Sequence, residues 1–103
     1  ERAAVTMAEH EFSAVLWEWS GKGSWCFVTV PAAISGIIRM SVPKRTGFGS
    51  IRVIVEIRNE RWKTSLFPDS KSGCYLLPVK SNVRKRAAIS IGDELNLGLS
   101  IAE

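Results

Sequence analysis

The sequence predicts a mainly β fold: a small closed or partly open antiparallel β-barrel of about six to seven strands with two short helices. Three observations predict it. In residues 94–101, Leu95, Leu97, Leu99 and Ile101 alternate with Glu94, Asn96, Gly98 and Ser100, the period of a strand with one buried and one wet face. Ile51, Val53, Val55 and Ile57 repeat that period. Residues 10–30 are apolar on both faces, as expected of a wall covered inside and out.

Taken in order, residues 10–19 and 25–30 read as a hairpin around the loop Ser20-Gly21-Lys22-Gly23-Ser24. Pairing across it sets Trp19 opposite Trp25 and Trp17 opposite Phe27, with large aromatics on one face and Leu16, Cys26 and Val28 on the other. Pro31 opens a helix, where its fixed φ and missing N–H cost nothing. Ile34, Ile37 and Ile38 give that helix a core-facing stripe, and Gly36 weakens it by about 1 kcal/mol. Residues 41–50, with Pro43, Gly47, Gly49 and the adjacent Lys44-Arg45, read as a mobile loop.

A second hairpin pairs residues 51–57 with a strand carrying Trp62, Thr64 and Leu66. With Asn59-Glu60 as a two-residue turn, Ile57 meets Trp62, Val55 meets Thr64, Val53 meets Leu66, and Glu56 faces Lys63. The same register sets Arg58 against Arg61, a like-charge contact that solvent must separate or an anion must bridge. Residues 68–73 form a loop and residues 74–79 a further strand. A short helix follows, capped by Ser81 or Asn82, with Val83 and Ala87 on one face and basic residues suiting its negative end. Gly92 supplies a positive φ, and Asp93 bonds back to its own turn.

At 103 residues the chain is one domain. Its 46% hydrophobic and 23% charged content exclude a disordered chain, and no apolar run is long enough to span a membrane. Residues 10–103 are expected to form the barrel and residues 1–9 a disordered or vector-derived tail, with Met7 a candidate native start and no signal-peptide core. Cys26 and Cys74 lie in apolar strand-like segments and read as buried free thiols of a reducing, cytoplasmic protein. Charge is uneven: residues 1–43 sum to −1, residues 44–86 to +8 and residues 87–103 to −3. A basic mid-chain surface suits an anionic partner or is a solvated face without one.

Three blocks of residues resemble a known family. They are Trp25-x-Phe27-Val28-x-x-Pro31; Trp62-x-Thr64-Ser65-Leu66-Phe67-Pro68 followed by Gly73-x-Tyr75-x-Leu77-Pro78-Val79-Lys80; and Val83-Arg84 followed by Ile89-x-x-Gly92-Asp93. In that order they resemble the family of domains of unknown function numbered 1905, from Phe12 onward. The resemblance implies a small prokaryotic β-barrel domain, sometimes fused to others, and no catalytic residues. Glu60 stands where the family usually has a hairpin glycine. Ala88 replaces a usual glycine, which predicts a slightly longer helix.

Signals for catalysis are weak. His10 is the lone histidine, Ser65 has no nucleophile-elbow context, and no acid/base pair, metal-ligand spacing or phosphate-cradling loop is evident. No catalytic residue, metal or cofactor is expected. Two binding readings remain. In the first, Trp17, Trp19, Trp25 and Trp62 line a pocket rimmed by Arg58, Arg61 and Lys63 for a small anionic ligand or a peptide; the plainer alternative is that they fill the core. In the second, Lys80, Arg84, Lys85 and Arg86 contact nucleic acid, because residues 84–89 with Gly92-Asp93-Glu94-Leu95 resemble looped-hinge transcription regulators. The chain is expected to act as a monomer or a homodimer away from membranes.

Overall fold

A computed structural model describes residues 8–19, 25–41 and 49–102. Within these lie seven strands: β1 (His10–Val15), β2 (Trp17–Glu18), β3 (Cys26–Thr29), β4 (Ile51–Ile57), β5 (Glu60–Pro68), β6 (Tyr75–Pro78) and β7 (Glu94–Ile101). Two helices, α1 (Ala32–Ser41) and α2 (Ser81–Ala87), complete the mainly β architecture. The strands pair antiparallel in the order β1-β7-β4-β5-β6-β3-β2.

The two ends of that order are one continuous piece of chain, and this nearly closes the barrel. β1 pairs with β7 from His10↔Leu99 to Val15↔Glu94, whereas β2 pairs with β3 at Trp17↔Phe27 and Glu18↔Cys26. The bend between them is Leu16. Its N–H donates to Asp93 O (3.0 Å), its C=O accepts from Gly92 N–H (2.8 Å), and its side chain is fully buried. An extended chain that leaves one neighbour for another must satisfy the backbone groups at the bend, and here the turn before β7 does so.

Alternation placed the core correctly. Ile51, Val53, Val55, Ile57, Leu66, Leu95, Leu97 and Leu99 are buried together with Leu16, Cys26, Val28 and Leu77. The aromatic face of the first hairpin, with Trp17 opposite Phe27, is the outer one. Each helix is a crossover, and the two lie at opposite ends of β6. α1 is fastened by buried Ser35, whose hydroxyl donates to Val30 O (3.0 Å) and accepts from Tyr75 N–H (3.0 Å). Ile38 of the expected stripe is buried and Ile34 packs on the core, but Ile37 faces outward.

Four local expectations are corrected. The second hairpin turns at Arg58-Asn59, not Asn59-Glu60, so Ile57 meets Glu60, Val55 meets Trp62, Val53 meets Thr64, and Glu56 faces Arg61. Arg58 takes the positive φ (55°) of the turn, and its predicted clash with Arg61 does not arise. Helix α2 is capped by Lys80, without a side-chain bond, rather than by Ser81 or Asn82. It is not lengthened at Ala88, which stops it in the left-handed conformation (φ 56°, ψ 48°). Finally, Glu9, expected in the tail, is joined to β7: its N–H donates to Ser100 Oγ (3.0 Å) and its carboxylate accepts from Ile101 N–H (2.8 Å). Residues 1–7 of that tail, the 20–24 loop and most of the 41–50 loop lie outside the described residues.

Candidate functional site

Among the described residues, the barrel wall parts between β5 and β6. β6 meets β5 only at Phe67↔Leu76 and Pro68↔Tyr75, then follows β3 through Phe27↔Pro78. Pro78 has no N–H to offer a neighbour. Beyond it Val79 N–H donates to Cys26 O (2.9 Å) and the chain turns into α2. The parting leaves a groove of about 1090 Å³.

Its apolar side is built by outward rows that run across strands. Phe67, Leu76 and Thr29 form one row, Pro78, Phe27 and Trp17 the next. Phe67, 43% exposed, and Trp25, 61% exposed, are large apolar surfaces left to water. Trp25 stacks on Phe27 with ring centroids 6.4 Å apart and planes 14° from parallel. Trp17 leans on Phe27 from the other side at 5.3 Å, and its indole N–H donates to Thr29 Oγ1 (2.9 Å). The polar side carries Arg52, Lys63 and Lys80, with Ser65, Ser81 and Asn82 between them. Among the described residues, Lys63 and Lys80 line the groove and form no ion pair.

Of the residues proposed from sequence for a ligand pocket, Trp25 and Lys63 line this groove. Trp19 is 53% exposed beside Trp25, and its main-chain N–H donates to Trp25 O. Trp62 points the opposite way, part-buried against the core. The tryptophans therefore neither share one cavity nor together fill the interior. Arg58 donates through Nη1 to the carbonyls of Ala87 and Ala88, both at 2.9 Å, where a cation suits the end of α2. Arg61 stands 3.6 Å from Glu56.

Of the nucleic-acid set, Lys80 lines the groove. Arg84 donates to Val79 O (2.6 Å), Arg86 pairs with Glu60 at 2.9 Å, and Lys85 is exposed. Among the described residues, no three His, Cys, Asp or Glu side chains are grouped to hold a metal, and no helix is long and apolar enough to cross a membrane.

Sequence reasoning passed over Phe27, Phe67, Leu76, Pro78 and Arg52 as site residues. A signal for Phe67 was present, since Lys63, Ser65 and Phe67 alternate onto one face and an aromatic among wet positions marks an exposed apolar surface.

The family profile described as Domain of unknown function (DUF1905) matches residues 12–99. The chain belongs to the DUF1905 family. Its match runs from Phe12 within β1 to Leu99 within β7 and takes in the other five strands, both helices and the groove. The DUF1905 description assigns no activity to the fold, so function must be argued from the groove. No curated protein matches the chain.

Proposed function

We propose that this DUF1905 domain is a non-enzymatic binding module whose groove between β5 and β6 takes an anionic ligand with an apolar part. The observation that carries this reading is the meeting of Lys63 and Lys80 with the exposed Trp25 and Phe67 and the half-buried Pro78. Apolar surface held open beside cations costs hydration that a complementary ligand recovers. Lysine on a mobile stem selects negative charge rather than one rigid geometry. The two buried free thiols, Cys26 and Cys74, support the expectation of a reducing, cytoplasmic setting.

The nucleic-acid reading through α2 has less support. Arg84 and Arg86 are engaged within the fold, and a guanidinium already bonded must give up that partner to meet a phosphate.

Anilinonaphthalene sulfonate, an anion with flat apolar rings, is the probe. Its fluorescence should rise on binding, with energy transfer from Trp25. Lys63→Glu with Lys80→Glu should weaken binding about tenfold or more, as should Trp25→Ala. Unchanged binding in both variants would remove the groove reading.

A further inference from the structure

One wall of the groove is main chain. A strand directs its N–H and C=O groups alternately to its two sides. β5 gives one side to β4 along its length, from Ile57↔Glu60 to Ile51↔Leu66. Its other side meets β6 only at Phe67 and Pro68. From Arg61 to Leu66, among the described residues, that side makes no main-chain hydrogen bond. Lys63, Thr64 and Ser65 all line the groove. Consecutive residues of a strand point to opposite faces, so a groove touched by all three runs along the edge of β5. Along residues 61–66 that edge has no strand paired to it.

We infer that the occupant of the groove, on the reading proposed above, is an extended acidic peptide that joins the sheet as a strand beside residues 61–66 of β5. Strand addition satisfies the exposed N–H and C=O groups, and alternate side chains give specificity. Lys63 and the surface made by Phe67, Leu76 and Pro78 lie on the same outward face, so the outward-facing positions of the added strand are acidic beside Lys63 and apolar beside Phe67. A small organic anion or a nucleotide strand can meet the lysines and stack on Trp25, but neither carries amides at strand spacing, so neither satisfies the edge. Pro78 keeps the gap available, because the strand across it offers no N–H at that position.

The test uses the full chain, isotope-labelled for amide spectra, and the peptide acetyl-Phe-Thr-Val-Thr-Glu-Thr-Glu-amide, whose apolar and acidic residues share one face of a strand. Two further versions are N-methylated at alternate residues, one blocking the amides of each peptide edge. Strand addition predicts that the peptide shifts and protects amides of residues 61–66. It also predicts that one methylated version binds about tenfold or more weakly while the other is much less affected. Equal binding by all three peptides overturns the inference, because side chains alone would then account for affinity. Tighter, salt-sensitive binding of an oligothymidylate at the same amides overturns it in favour of a nucleic acid. Absence of peptide binding, with anilinonaphthalene sulfonate still lost on lysine reversal, overturns strand addition while the groove reading stands. If neither lysine reversal nor Trp25→Ala weakens dye binding, the groove reading itself falls.

Discussion

Ala88 sits at φ 56° and ψ 48° at the end of α2, and a β-carbon there crowds the following carbonyl. The position is held because its N–H bonds back to Lys85 O (3.2 Å) and the N–H of Ile89 bonds to Arg84 O (3.0 Å), the pattern that closes a helix with a left-handed residue. Glycine meets that requirement without the crowding. Ala88→Gly should therefore raise stability by about 0.5–1 kcal/mol in urea unfolding; a loss of stability would show that the left-handed turn is not strained. Asp69 offers a second test at this scale. Its carboxylate accepts from the Ser72 hydroxyl (2.7 Å) and from the amides of Lys71 and Ser72, which hold its pKa below the ordinary 3.8. A depressed carboxyl pKa means that these bonds stabilise the turn above the unfolded value and are lost as pH falls through the folded one. The Ser72 amide resonance should titrate with a midpoint below 3.8. A midpoint at or above that value would mean that the turn does not hold the carboxylate.

At the scale of elements, the hairpin of β4 and β5 shows what a sequence pattern specifies. Inward and outward faces were legible: Ile51, Val53, Val55 and Ile57 are all buried. The register was not, because a slip of two residues leaves every side chain on its own face and the period of two cannot detect it. The turn decided it, and Arg58-Asn59 gives no glycine to announce a positive φ. What recommends Arg58 for that place is non-local. From the turn its guanidinium reaches Ala87 O and Ala88 O, while Glu60 beside it pairs with Arg86, so the hairpin tip is clipped to α2 at two points. The groove was hidden for the same reason. Phe67, Leu76 and Phe27 come from three strands and become neighbours only through pairings between distant segments. The first hairpin, apolar on both faces, concealed which face was the outer one. Substituting Arg58 separates its two roles. Arg58→Ala keeps the strained φ and loses both bonds, and should cost about 1–2 kcal/mol. Arg58→Gly loses the same bonds and relieves the strain, so it should fall between Arg58→Ala and the natural protein. Urea midpoints in the opposite order would assign Arg58 to the turn alone.

For the whole molecule, the two ends of the strand order meet at a single bend. The strand order runs from β1 round to β2, and only the continuity of the chain through Leu16 joins its two ends. Leu16 contributes twice: its backbone is bonded in both directions to the turn at Gly92 and Asp93, and its side chain is fully buried in the core. These contributions can be weighed apart. Leu16→Ala removes the side chain but keeps both backbone bonds, and should cost about 2–5 kcal/mol through lost burial and the cavity left behind. If the bend also governs closure, the damage should extend beyond that cavity. Amide exchange should then quicken along both β1 and β2 while the β4–β5 hairpin, paired on seven residues, stays protected. A buried leucine removed from an ordinary strand lowers protection of the whole core together. Uniform loss of protection across β1, β4, β5 and β7 in Leu16→Ala would therefore show that Leu16 is core filling and that closure is set elsewhere.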